Sequence, residues 1–512
     1  MTITPTLLLI LDGFGLAPAG PGNAISLAKT PHLDRLSAAC AHTSLAASGR
    51  DVGLPAGYIG NSEVGHLNIG AGRVVYQDMT RIDVAVETGE LDNNIAFLHL
   101  LNDIKNKNAR LHLMGLLSDG GVHSHIGHVK ALARIAHAHG VETLVHAFTD
   151  GRDVPPGSGG DYLADLHGTL KELGSCRIAS VCGRFYAMDR DKRWERVCEA
   201  FEMLVHGKGV VADDAVSGFR AAYAAGESDE FVKPILVREL PGAPNTLRDN
   251  DGIFFFNFRA DRMRELVRAF LPDFVEFERG VLPKLSSMAS MTAYDASFSL
   301  PVAFPKEALH MGLGEVLSQM GKKQLRLAET EKYAHVTYFF NGGIEDPLPG
   351  EDRILVPSPR DVETYDLKPA MSAEEVTGRF LEAWKSGLYS LVVCNLANPD
   401  MVGHTGVLRA AVAACETVDV CVGRMLEAVT GSGGRACITA DHGNVECMLD
   451  AHNAPHTAHT MNRVPFILAE PGGATPQLRE GRLADIAPTI LSLWNVPQPS
   501  EMTGWPLTRE RT

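Results

Sequence analysis

The chain has 512 residues, which at roughly 100–200 residues per domain allows two to four domains, each with its own core. Hydrophobic residues at 45% and charged residues at 21% lie in the globular range and exclude a disordered chain. A net charge of −15 argues against nucleic acid or an anionic membrane surface as the main partner, so an anionic substrate must be met by a local cluster of Arg and Lys.

In chain order, the apolar run TLLLIL (6–11) reads as a central strand that ends directly on Asp12-Gly13. The stretch GNSEVGHLNIGAGR (60–73) follows, with Gly60 and Asn61 as a turn and Ser62 near the start of a helix. Between about 110 and 300, LHLMGLL (111–117), TLVHAF (143–148), RIASVCG (177–183) and GIFFFN (252–257) read as buried parallel strands. Helical stretches near 126–139, 160–173 and 192–205 separate them, the pattern of a doubly wound domain. Pro301 and Pro305 mark a linker, after which SLVVCNL (390–396) and ACITA (436–440) resemble the first strand. The expected organisation is therefore an α/β protein of two domains. One is discontinuous, 1–76 plus 308–512, and is interrupted by the other, an inserted doubly wound α/β domain over 77–307. The second crossing, near 75–80, leaves little trace in composition.

Polar residues that suit a metal or a phosphate follow several strands at once. Asp12 follows the first, Asp400 and His404 follow 390–396, Asp441 and His442 follow 436–440, and PHTAHT then carries His456 and His459. Ligands of open α/β sheets bind at the carboxyl ends of strands, so these clusters are candidates to converge. Neighbours along a strand point to opposite faces, so Asp441 and His442 share a site only if the chain turns, which Gly443 and Asn444 permit. A mixed oxygen and nitrogen set fits manganese or zinc better than calcium. A lone Asp after a strand is more often a cap or turn residue, and a lone His more often a core or surface residue. His452, His456, His125 and His128 are open to that plainer reading; several strand-end clusters together resist it. Ser62 is a nucleophile that a metal can activate or a plain helix cap.

The motifs LDGFG, GNSEVGHLNIGAGR, SDGGVHSH, TDGRDVPP, CGRFYAMDRDKRWER, NFRADRMREL, AETEKYAHVTYFFNGG, NPDMVGHTG, TADHGN and PHTAHT, in that order over nearly the whole length, resemble the cofactor-independent phosphoglycerate mutases of the alkaline phosphatase superfamily. The resemblance implies an alkaline-phosphatase-like α/β sandwich carrying the insertion. It implies two Mn²⁺ ions, one held by Asp400, His404 and His459 and the other by Asp12, Ser62, Asp441 and His442. Phe14 stands where many relatives carry Trp, a departure that alters packing only.

In the inserted domain His123, Arg152-Asp153, Arg184, Arg259 and Arg262 also follow strands. Several cations together are what a phosphorylated carboxylic acid calls for, because Arg grips carboxylate or phosphate with two parallel bonds. By resemblance Arg190 joins that group, and Lys332 contacts the phosphoryl group beside Ser62; Lys192 and Arg193 read as a solvated face paired with Asp189 and Asp191. The implied reaction is interconversion of 3-phosphoglycerate and 2-phosphoglycerate through a phosphoserine, in glycolysis and gluconeogenesis, without bisphosphoglycerate. The alternative is a metal-dependent phosphatase or phosphodiesterase, against which the arginines argue. The nine cysteines are odd in number, never in a C-x-x-C pair, and mostly in apolar surroundings such as those of Cys394 and Cys437. They read as reduced thiols of a cytoplasmic protein. The chain shows neither a signal-peptide pattern nor a membrane-length apolar run, and the family expectation is a monomer.

Overall fold

A computed structural model describes residues 3–238 and 245–508. The chain divides into two compact units, Met1–Gln77 with Ala308–Thr512, and Asp78–Glu307.

The first unit is built on an eight-stranded sheet. Thr6–Leu11 runs through its centre, parallel to Leu391–Leu396 on one side and Arg435–Thr439 on the other. Beyond Leu391–Leu396 lie Gln324–Glu329 and Glu351–Val356, also parallel. Beyond Arg435–Thr439 the antiparallel Val464–Ala469 leads to Ala41–Ala46 and the short Gly481–Arg482. Every residue of Thr6–Leu11 is buried, as a central strand covered on both faces requires. Each of its leucines contributes roughly 1.5–3 kcal/mol by leaving water. The helix Leu408–Gly431 buries Ala411, Cys415, Val418, Val422, Met425 and Val429, a three-to-four residue spacing that turns one stripe onto the sheet. The helix Ser62–Ala71 is capped by Asn61, whose side chain accepts the Val64 amide at 3.0 Å. Asn61 is therefore the cap, and Ser62 is the first helical residue.

The second unit has a seven-stranded sheet, in which Leu111–Leu117 lies between Thr143–Thr149 and Gly252–Phe255, all parallel, with Cys176–Gly183 and Ser287–Ser290 continuing outward. Ile235–Val237 runs antiparallel to its neighbour Cys176–Gly183, and Val210–Ala212, parallel to Ile235–Val237, lies at the edge. Leu111, Leu113 and Leu117 enter one apolar core while Met114 and Leu116 enter another on the opposite face. That alternation is the signature of a doubly wound sheet. Helices Ile126–Ala138, Gly159–Leu173 and Trp194–His206 occupy the expected stretches. The strand expected over 252–257 stops at Phe255, because the Asn257 side chain takes the Leu116 amide at 2.9 Å in place of a backbone partner.

Among the described residues no helix is long and apolar enough to cross a membrane, and all nine cysteines are free thiols.

Candidate active site

Four parallel strands of the first unit end on the same edge of the sheet, so the residues that follow them converge. Ser62, in the first turn of its helix and 5% exposed, meets them there. Its hydroxyl lies 2.9 Å from His442 Nε2 and 3.2 Å from Asp12 Oδ1, and accepts a hydrogen bond from Lys332 Nζ at 2.8 Å. The same ammonium reaches Asp12 Oδ1 at 2.7 Å and Asp400 Oδ2 at 2.6 Å. Burial by itself would lower the Lys332 pKa, but Asp12, Asp400 and Asp441 outweigh it and hold it raised. Asp12 is pushed up by burial and then by Asp441. Asp400 is drawn well down despite burial, by Lys332 first and then His442.

The histidine rings have fixed tautomers. His442 Nδ1 faces the Gly443 carbonyl at 3.2 Å, His459 Nδ1 the Gly60 carbonyl at 2.9 Å, and His404 Nδ1 the Thr457 carbonyl at 2.8 Å. A carbonyl only accepts, so each Nδ1 carries the proton and each neutral ring presents a lone pair at Nε2. His404 Nε2 and His459 Nε2 then stand 3.2 and 3.1 Å from Asp400 Oδ1 and 3.0 Å from each other. Three electron-pair donors at that spacing repel unless a cation lies among them. A proton on one ring answers in part, and the Asp400 hydrogen bond does raise His404. A divalent ion satisfies all three. Ligand atoms of Asp400, His442 and His459, and those of Asp12, Asp441 and His442, lie within 4.8 Å of one another in each set, so His442 is common to both.

In the second unit, Arg184 is buried and donates to Asp150 and Asp153, each at 2.6 Å, and to His123 Nε2 at 3.0 Å. His123 is lowered to about 4, by burial first and the Arg184 charge next. Arg190 and Arg259 are about half exposed and both pair with Asp261 at 3.0 Å, while Arg152 approaches Glu230 at 3.4 Å. Arg262 donates to the Met188 carbonyl at 3.1 Å, and its pKa is lowered by burial and then by Arg184, Arg190 and Arg152. Positive charge from Arg184, Arg190 and Arg152 thus acts on Arg262. Most of these arginines, however, already lean on a carboxylate. Asp189 is no solvated partner: it is buried and accepts the Asp191 and Arg193 amides and the Arg196 guanidinium.

A third set, Asp83, His125 and His128, also brings ligand atoms within 4.8 Å. His125 Nδ1 accepts the Gly127 amide as a helix cap, so its neutral ring carries the proton on Nε2 and has no lone pair left for a metal. His128 is held by Asp83 at 2.7 Å. The plainer reading of these two histidines fits.

Comparison with known proteins gives one consistent result. The family description "BPG-independent PGAM N-terminus" matches residues 82–296. A 2,3-bisphosphoglycerate-independent phosphoglycerate mutase of Nitratidesulfovibrio vulgaris is 60% identical over 100% of both chains. One of Lawsonia intracellularis is 57% identical over 98% of this chain and 99% of its own. The chain belongs to the 2,3-bisphosphoglycerate-independent phosphoglycerate mutases. A solved relative, a Leishmania mexicana phosphoglycerate mutase at low cobalt concentration, is 32% identical with a TM-score of 0.54, covering 99% of this chain and 98% of its own.

Several organising residues of this mutase escaped the sequence reading. Asn395 donates to Asp12 Oδ2 at 2.7 Å and to His66 Nε2 at 3.1 Å, which leaves His66 Nδ1–H for the Ser62 carbonyl at 2.9 Å. Asn444 donates to Asp400 Oδ1 at 2.8 Å. Asp150 and Asp261 hold the arginines. In the sequence Asn444 had stood out only as a turn residue, Asn395 only as part of an apolar strand, and the others only as members of motifs noted for other residues.

Proposed function

We propose that the chain interconverts 3-phosphoglycerate and 2-phosphoglycerate, with Ser62 carrying the phosphoryl group between the two glycerate oxygens. The observation that supports this is the surround of the Ser62 hydroxyl, a lone-pair nitrogen, a carboxylate and an ammonium all within 3.2 Å. Asp400, His404 and His459 would hold one divalent ion, and Asp12, Ser62, Asp441 and His442 the other, with Mn²⁺ as the ion. When bound, such ions lower the pKa of a hydroxyl and offset charge on a transferring phosphoryl group. Lys332 Nζ, which already donates to Ser62, donates in turn to the phosphoryl oxygens. In the inserted unit Arg152, Arg184, Arg190, Arg259 and Arg262 grip the anionic substrate, and His123 and Asp153 complete that grip. The phosphoryl group leaves one glycerate oxygen for Ser62 Oγ and returns to the other, so no bisphosphoglycerate is consumed. The reaction serves glycolysis and gluconeogenesis in the cytoplasm, where free thiols persist, and the chain acts as a monomer.

The test is a coupled assay in both directions with and without Mn²⁺ and bisphosphoglycerate, combined with mass spectrometry of acid-trapped enzyme. Expected are dependence on Mn²⁺, indifference to bisphosphoglycerate, and phosphate on Ser62. Phosphate on a histidine, or full activity in metal-stripped protein, overturns the proposal.

A further inference from the structure

Glu446 takes no part in the site as described, yet three of its ligand-bearing segments end on this one carboxylate. It is 2% exposed. Oε2 accepts the Gly15 amide at 3.0 Å and the Asn444 amide at 2.8 Å. Oε1 accepts the Thr460 hydroxyl and, at 2.9 Å, the Asn462 side-chain amide. A carboxylate has about four acceptor positions and no donor, so these bonds use its full capacity. The donors are uncharged, so this is not an ion pair. They belong to separate stretches of chain: Gly15 lies three residues after Asp12, Asn444 two after His442, and Thr460 directly after His459. The Asn444 side chain extends the connection to Asp400 Oδ1.

Two motif glycines point to the same carboxylate. Neither Gly15 nor Gly443 has a positive φ, so their backbone conformation is open to any residue. A methyl group on Gly15 would run into the Glu446 carboxyl, and one on Gly443 into Glu446 Oε1 and the Thr460 hydroxyl. The second glycine of LDGFG and the glycine of TADHGN are small because the carboxylate lies against them.

We propose that Glu446 is the positioning residue of this site: it holds the segments bearing Asp12, the Asp441–His442 pair and His459 in one mutual geometry without touching substrate or ion. The inference rests on the metal reading proposed above. Partners behind metal ligands typically account for 10–100-fold in metal affinity. Glutamine at 446 turns one acceptor oxygen into a donor that faces two other donors, so the three segments lose their common anchor.

The experiment is a Mn²⁺ titration of the full-length chain by electron paramagnetic resonance, without substrate, at a temperature where circular dichroism shows each protein folded. Glu446→Gln is expected to bind Mn²⁺ about 10–100-fold more weakly, and added Mn²⁺ should restore its mutase activity. Affinity within twofold of wild type overturns the inference. Should Glu446→Gln fail to fold, Asn462→Ala decides, since it removes one donor and leaves the carboxylate: a loss above twofold supports the inference and a smaller one overturns it. Wild-type protein that binds no Mn²⁺ sinks the metal reading along with the inference. Wild type that binds, with folded variants that bind equally well, sinks the inference alone.

Discussion

The two units handle charge in opposite ways. The first gathers Asp12, Asp400 and Asp441 with three imidazole lone pairs around one ammonium, with the acids, the ammonium and His442 out of water and only the His404 ring well exposed. The second gathers arginines and lets Arg152, Arg190 and Arg259 reach solvent, each steadied by a carboxylate. Buried groups keep a fixed geometry and act in a low dielectric, which is what moving a phosphoryl group demands. Exposed arginines can adjust to a flexible acid, and their pairs cost little to break. Within the second unit Arg184 breaks the pattern, because it is as buried as anything in the first.

Ser62→Ala attacks the fixed site at its centre and should reduce isomerisation by at least about 10⁴-fold, as for other nucleophiles, while circular dichroism stays unchanged. Residual activity above a tenth of wild type would remove Ser62 from the chemistry. Arg184→Ala comes next. It leaves Asp150 and Asp153 without their shared cation, and breaking such a buried pair costs about 3–5 kcal/mol. Denaturant titration should show that loss, and an unchanged midpoint would make Arg184 a gripping residue only.

The His123 ring sharpens the comparison through pH. Its folded pKa of about 4 lies below the ordinary 6.5, so between those values the unfolded chain takes the proton more readily. Its stabilising contribution is whole above pH 6.5 and is lost as pH falls toward 4, amounting to about 2 kcal/mol by pH 5. His123→Gln should flatten the stability profile by that amount over that range; an identical slope refutes the assignment. The smallest effect on stability belongs to Arg190→Ala, under about 1 kcal/mol for an exposed pair. Its signature should instead be product partition: less isomerised product and more free phosphate, because a poorly held glycerate loses the phosphoryl group to water. An unchanged ratio of phosphate to product would mean that Arg190 does not retain the glycerate.

Periodicity and composition made the parallel strands and the helices of the inserted unit legible, because apolar runs of that length bounded by turns have few other uses. Leu111–Leu117 is the clearest case. The strand-end residues Asp12, Asp400, Asp441 and His442 were legible for a related reason: a parallel sheet delivers whatever follows its strands to one edge. Chemistry also made Ser62 a candidate, although its neighbours in sequence, taken alone, favoured a plain helix cap until Asn61 was seen to take that role.

Tertiary structure alone decided the rest. Whether a histidine offers a lone pair depends on which carbonyl its other nitrogen meets, and Gly60 and Thr457 lie far along the chain from His459 and His404 in one case and in the other. The acids that steady the arginines, Asp150 and Asp261, and the anchors Asn395 and Glu446 look like ordinary polar residues in sequence. Their roles come from hydrogen bonds to distant segments, which no local pattern encodes. The division near Gln77 and Asp78 is of the same kind, since it depends on which core each apolar side chain enters and not on any turn or proline at that point. Local order writes itself into spacing, whereas a buried polar network exists only once folding has brought its donors and acceptors within 3 Å of each other.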